Sequence, residues 1–288
     1  SMSLPCSPGV SIFGNNAEVE RTNWSVFVQN RLELFERAYI TAGVRREENG
    51  QFGQFTTARA DVSILIPESD TRIHGSVGNA FRAPSFFEFF SSIGNPNLEP
   101  EENLAYDVGI EQHFWNKRIT LGATWFNNDF KDLINFDLNT FLFDNLNEAN
   151  SRGFEFSASV KPIKQILIRG TATLLHTEDA NGRRLLRRPG NTYTVQVIAN
   201  PIEGLDLSVD LLRVGSRSDL GPTDAYPFAT VHNESYTRVD VAASYKFYKY
   251  FRAFGRVENV FNRSIEDVKT FPAAGSNTLA GLEFAWRF

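Results

Sequence analysis

Leu282-Glu283-Phe284-Ala285-Trp286-Arg287-Phe288 closes the sequence, and its side chains alternate without a break. Successive side chains of an extended chain point to opposite faces. Leu282, Phe284, Trp286 and Phe288 therefore share one face, and Glu283, Ala285 and Arg287 share the other. The spacing predicts a strand with one apolar, largely aromatic face. The same period of two recurs upstream. Val239, Val241, Ala243, Tyr245 and Phe247 oppose Asp240, Ser244 and Lys246, and Phe154, Phe156, Ala158 and Val160 oppose Glu155, Ser157, Ser159 and Lys161. Stretches 60–66, 193–199, 205–211 and 251–258 alternate in the same way. Segments of this kind predict an all-β chain.

Composition narrows the class. The mean hydropathy is −0.28, and no apolar run approaches the roughly 18 residues that a membrane-spanning helix needs. A membrane-spanning strand needs only about 9–11 residues, half of them polar, so this composition is open to a membrane barrel. Phe occurs 26 times against one Met, and aromatics favour strands and membrane interfaces. The net charge of −5, with no basic stripe, argues against nucleic-acid binding. The single Cys6 excludes a disulfide framework and a Cys-based zinc site. The competing reading is a soluble, aromatic-rich sandwich or propeller.

The connections separate the two readings. Stretches 33–36, 67–70, 115–118, 161–164, 200–204 and 248–249 read as tight turns. Stretches 83–101, 137–151, 178–189, 215–235 and 262–278 read as long loops, with 46–54 intermediate. Short turns at one end and long loops at the other are the asymmetry of an outer-membrane barrel. Greek-key crossings give no such regularity, and no fixed-period repeat marks a propeller. The hairpins predict an antiparallel transmembrane β-barrel of about 14 strands forming one domain over residues 1–288.

Three stretches resemble the C-terminal part of the TonB-dependent outer-membrane receptors. They are Gly78-Asn79-Ala80-Phe81-Arg82-Ala83-Pro84-Ser85; Gly94-Asn95-Pro96-Asn97-Leu98-Glu99-Pro100-Glu101 followed by Tyr106-Asp107-Val108-Gly109; and Glu258-Asn259-Val260-Phe261-Asn262 followed by Phe271-Pro272-Ala273-Ala274-Gly275 and the terminal strand. Gly153-Phe154-Glu155 after an Asn-rich segment is similar to the family's strand start. The resemblance covers roughly residues 70–288. It implies the C-terminal portion of a 22-stranded type of barrel, with no counterpart here of the family's plug domain and coupling box. It also implies uptake of an iron-siderophore, haem or cobalamin across the bacterial cell outer membrane, with a layout most like vitamin B12 receptors and with energy from TonB if plug and coupling box lie upstream. Further implied partners are outer-membrane lipid, lipopolysaccharide and the barrel-assembly machinery, which would read Phe284, Trp286 and Phe288 as an insertion signal. The alternative is a self-contained passive pore or adhesive barrel.

Catalysis finds no support in the residues. His74, His113, His176 and His232 lack metal-ligand spacing, and no Gly-x-Ser-x-Gly is present, so neither an enzyme nor a cofactor is expected. The candidate ligand contacts lie in the long loops. Phe86, Phe87, Phe89 and Phe90 could stack on a ligand beside Arg82, and Tyr226 and Phe228 pose the same choice later in the chain. Arg183 and Arg184, with Arg187 and Arg188, form a cluster able to attract an anionic chelate. Each also has a plainer role, as an aromatic belt, inward packing or solvated charge.

Overall fold

In a computed structural model, which describes residues 19–137, 140–221 and 229–285, the chain is an antiparallel meander. The strands are β1 (Asn23–Leu34), β2 (Ala38–Asn49), β3 (Gly53–Ile66), β4 (Thr71–Arg82), β5 (Glu101–Phe114), β6 (Ile119–Asp137), β7 (Leu142–Ile163), β8 (Ile166–Asp179), β9 (Asn191–Ala199), β10 (Leu205–Val214), β11 (Arg217–Gly221), β12 (Ala229–Asn233), β13 (Tyr236–Tyr248), β14 (Phe251–Glu258), β15 (Glu266–Val268), β16 (Phe271–Pro272) and β17 (Asn277–Phe284). Thirteen of them form one sheet in the order β1 to β10, β13, β14, β17. The hairpins β11–β12 and β15–β16 stay outside it, within two long connections. A one-turn helix, α1 (Phe86–Phe90), sits in the β4–β5 connection. Within the described residues the predicted alternating stretches lie on sheet strands, the last of them as far as Phe284, and the sheet has 13 strands where about 14 are expected.

Pairing in register turns the alternation into two continuous faces. Val28, Val44 and Ala58 lie side by side, as do Trp125, Phe154 and Leu174. The opposite face lines up Asp61, Ser76 and Asp107, and Gln196, Asp210 and Asp240. Tight turns close one end of the sheet. Phe35, Glu36, Trp115, Asn116 and Lys117 have φ of 51–63°, each left-handed, as the mirror-image turns that follow strand twist require.

The described residues form no hydrophobic core in the soluble sense. Among the described residues, the buried apolar side chains are Leu98, Ala149, Val214 and Ile265, whereas Asn49, Asn127, Arg217, Asp219, Asn233 and Asn259 are buried polar ones. The apolar face stays open: Val28 is 67% exposed and Leu32 51%. A surface of that size is stable only against apolar surroundings.

The face also shows where the apolar band stops. Trp125 and Phe154 pair across β6 and β7, and the Tyr106 ring stands 5.6 Å from Trp125. Beyond that pair the same face carries Asn127, Asp129 and Lys131 opposite Arg152, Asn150 and Glu148. At the turn end the band is edged by exposed Phe35, Trp115 and Tyr248. Two aromatic rims around an apolar band are the pattern of a transmembrane barrel.

One expectation is corrected. Stretch 137–151 reads as a long loop, yet β6 and β7 run through nearly all of it, pairing Asp137 with Leu142. Above the band both faces mix polar and apolar side chains, as Asp129 beside Asn150 and Phe136 beside Phe143 show, so the backbone ladder continues where the alternation that reveals it has ended.

Gly153 shows how tightly the ladder is built. A Cβ there would stand 2.0 Å from the Leu174 carbonyl oxygen, while at Gly170 the nearest atom, the Thr194 carbonyl oxygen, is 3.5 Å away. Gly153→Ala is expected to cost about 1–3 kcal/mol through overpacking, and Gly170→Ala to change stability by no more than about 0.5 kcal/mol. Urea titration of the heat-modifiable folded band on gels would measure both, and equal midpoints would refute the argument.

Candidate functional site

The long-loop end of the sheet carries a crown of mutually bonded connections. Its first cluster begins with Ser85, whose position three residues before Glu88 is a capping box. The Glu88 N–H donates to Ser85 Oγ (3.2 Å) and the Ser85 N–H donates to Glu88 Oε2 (2.7 Å), which starts α1. Arg82, the last residue of β4, spends its guanidinium on two carboxylates. It donates to Glu101 at 2.6 and 2.8 Å and to Glu88 at 2.9 and 3.1 Å. Glu101 also accepts from the Ile134 N–H at 2.7 Å. One arginine thus ties β4, α1, β5 and the upper part of β6. Burial pushes the Glu88 carboxyl up, but Arg82 and the Ser85 N–H outweigh it and hold the group below the ordinary carboxylate range.

The four phenylalanines of α1 divide between packing and exposure. Phe89 meets the Phe52 ring edge-on at 5.6 Å, and Phe87 meets Phe143 at 5.9 Å. Phe90 lies 4.9 Å from Phe89 and 6.3 Å from Phe86. Arg21 stacks over Phe86 at 4.7 Å and donates to the Pro84 carbonyl oxygen at 2.7 Å. Phe86 and Phe87 nonetheless remain 43% and 46% exposed. The helix therefore joins the β2–β3 turn to the tip of the β6–β7 hairpin and still offers two ring surfaces to the outside.

The second cluster joins the connections after β8, β10 and β14. Asp219 on β11 is fully buried. It accepts from Arg187 Nε (2.7 Å), the Lys269 N–H (2.7 Å) and its own neighbour, the Leu220 N–H (2.8 Å). Burial pushes its carboxyl up, yet these three donors hold it below its ordinary value. Arg217, also buried, donates to Asp267 Oδ1 at 2.6 Å and to the Glu266 carbonyl oxygen at 2.7 Å. Sequence reasoning missed Arg21, Arg217, Asp219 and Asp267, because nothing in strand alternation marks a loop residue whose partner lies in another loop.

The basic loop splits likewise. Arg187 is consumed by Asp219, and Arg183 pairs with Asp179 at 3.1 Å while 74% of its side chain stays exposed. Arg184 and Arg188 are exposed and have no ion pair among the described residues. Phe284 packs 5.0 Å from the Phe251 ring on the apolar face at the turn end. Tyr226, Phe228, Trp286 and Phe288 lie outside the described residues.

Comparison with known proteins places this geometry. The family model described as TonB dependent receptor-like, beta-barrel, matches residues 4–260. The ferric enterobactin receptor PfeA of Pseudomonas aeruginosa superposes with a TM-score of 0.77 at 15% identity, covering 92% of this chain and 45% of that one. The siderophore receptor PirA of Acinetobacter baumannii gives 0.77 at 18% identity, covering 92% and 46%. The copper transporter OprC gives 0.76 at 14% identity, covering 92% and 48%. At these identities the likeness is one of fold. The chain spans about half the length of the solved structures it matches.

The Asp219 cluster has a defined pH response. A carboxyl held below its ordinary value stabilises the fold above the unfolded pKa of about 3.9, and that contribution is lost as pH falls through the lower folded value. Protection of the amides of 217–221 and 266–269, taken relative to the intrinsic exchange rate at each pH, is therefore expected to be flat from pH 8 to 5 and to fall only below about pH 4. Asp219→Ala, which strands buried donors, should remove about 1–3 kcal/mol of that protection at neutral pH. Protection unchanged in Asp219→Ala would show that the cluster does not hold the loops.

Proposed function

The chain belongs to the TonB-dependent receptor β-barrel family, and from that premise we propose that it is the C-terminal barrel portion of an outer-membrane receptor for an anionic metal chelate of the ferric-siderophore type. The observation carrying this reading is the crown: exposed arginines and open phenylalanine rings on loops cross-braced by Arg82 and Asp219. Arg183 and Arg184 attract the anion, Phe86 and Phe87 offer ring faces to it, and Arg82 positions the helix that carries them. Phe89 and Phe90 back those rings from within α1, and Tyr226 and Phe228 are further candidate contacts.

The apolar band sits in the outer membrane, with the tight turns in the periplasm and the crown outside. Residues 1–288 form one barrel portion. The outer edges of β1 and β17 pair with nothing among the described residues, and unpaired backbone groups in hydrocarbon cost several kcal/mol each. That cost supports completion of the barrel by further strands of the receptor. Transport is driven through TonB in the whole receptor, and the assembly machinery reads Phe284, Trp286 and Phe288. The protein has no enzymatic role in this reading.

Tryptophan fluorescence of the full-length receptor, titrated with a ferric catecholate and separately with cobalamin, tests the ligand class. Saturable change with the ferric chelate is expected. Arg183→Ala combined with Arg184→Ala should weaken binding about tenfold, or about 1.4 kcal/mol, with the loss shrinking as salt rises. Saturation by cobalamin and not by the chelate would replace the ligand. Steady planar-bilayer conductance without ligand would favour a passive pore.

A further inference from the structure

Adjacent cations occur at four places in the chain: Arg45-Arg46, Lys117-Arg118, Arg183-Arg184 and Arg187-Arg188. An endopeptidase that reads such a pair needs the peptide bond after it free of the fold, because the scissile carbonyl must enter the enzyme's active site. Three of the four places fail this condition. Arg45 and Arg46 lie inside β2, paired with β1 on one side and β3 on the other. Lys117-Arg118 is followed by Ile119, the first residue of β6, and the Arg118 carbonyl oxygen accepts from the Lys161 N–H at 2.8 Å. Arg187 is held twice, by its N–H to the Ser218 carbonyl oxygen (2.7 Å) and by Nε to Asp219 Oδ1 (2.7 Å). The bond after Arg188 leads into Pro189, whose ring leaves it without an N–H.

Arg183-Arg184 differs in where its loop is tied. Asp179 ties the near side. Its Oδ1 accepts from the Asn181 N–H and the Arg183 N–H, both at 2.9 Å, and its Oδ2 accepts from Arg183 Nε at 3.1 Å. The Asp179 N–H in turn donates to the Arg183 carbonyl oxygen at 2.8 Å. Arg187 ties the far side through Ser218 and Asp219, and the Gly190 carbonyl oxygen accepts from the Leu175 N–H at 2.8 Å. Between the two ties, Arg184, Leu185 and Leu186 belong to no strand or helix. Their backbone groups make no hydrogen bond among the described residues. Arg183 and Arg184 both stand exposed. Exposed loop stretches are the preferred places for a chain to be nicked.

We propose that Arg184–Leu185 is a cleavage site for an endopeptidase that recognises two successive cationic side chains, and that the cut leaves the fold standing. In the step, water adds through its oxygen to the Arg184 carbonyl carbon and the C–N bond breaks. Arg184 ends as a carboxylate, and the nitrogen leaves with Leu185 as an ammonium group. Both new ends stay attached, the first through Asp179 and the second through Arg187. The cut divides the basic loop between its two arginine pairs. The site depends on the geometry of the loop and not on the identity of the ligand.

The test is digestion of the full-length receptor, folded in non-ionic detergent, with kexin, an endopeptidase that cuts after paired basic residues. Mass spectrometry then maps the fragments. One early cut is expected among the pairs of this chain, giving a fragment that ends at Arg184 and one that begins at Leu185. It should run at least tenfold faster than any cut after Arg46, Arg118 or Arg188. On gels the two fragments should stay together in one heat-modifiable band until boiled. Leu185→Pro keeps both arginines and removes no backbone bond of the loop; it should slow the cut at least tenfold and leave that band unchanged. Arg184→Gln, which takes away the second cation of the pair, should slow it likewise. A folded receptor that resists kexin until it is boiled would overturn the proposal, as would a first cut after Arg118 or Arg188. Fragments that part without heating would refute the retention of the cut ends.

Discussion

Backbone hydrogen bonding inside an apolar medium is the constraint on which the rest of the structure depends. Hydrocarbon offers no partner to an N–H or a carbonyl, so every peptide group in the band must be satisfied by a neighbouring strand. A meander joined by tight turns does this with least chain. It also explains the inverted polarity. Val28 and Leu32 can face outward because the medium is apolar, and Asp61 and Asp107 can face inward because the other side is polar. Gly153 is the limiting case, where two strands approach too closely for any side chain.

Charge plays a different part on each level. Along the polar face, pairs such as Arg59 with Asp61, Arg238 with Asp240 and Arg252 with Glu283 are all partly exposed. Such pairs contribute little each; they keep a charged wall neutral over short distances. In the crown, Asp219 and Arg217 are buried, and their bonds decide which loops touch. The ladder thus carries the stability of the sheet, and a few buried ion pairs carry the shape of the long-loop end.

Legibility followed the range of the interaction. Ser85 and Glu88 are three residues apart, so the start of α1 can be read from the capping-box spacing even though the Phe-rich stretch reads first as loop. Arg82 was legible as a functional candidate but not in its partners, because Glu101 is nineteen residues away and reaches it only through the pairing of β4 with β5. Asp219 was not legible at all: its donors Arg187 and Lys269 lie 32 and 50 residues away on separate loops. The upper β6–β7 hairpin was misread for a related reason, since alternation reports a difference between two environments and disappears where both are water.

The sequence alone determined the strands, their two faces, the tight turns and the family resemblance, because these follow from the period of two and from local backbone chemistry. Tertiary structure alone decided the register. Register places Ala158 beside Gly170 and sets Trp125 against Phe154 at the rim, and the packing of the connections above the sheet brings Asp219 to Arg187. A one-residue slip would preserve local strand propensity and destroy both pairings, since which side chains meet across strands depends on pairing distances that no single segment contains.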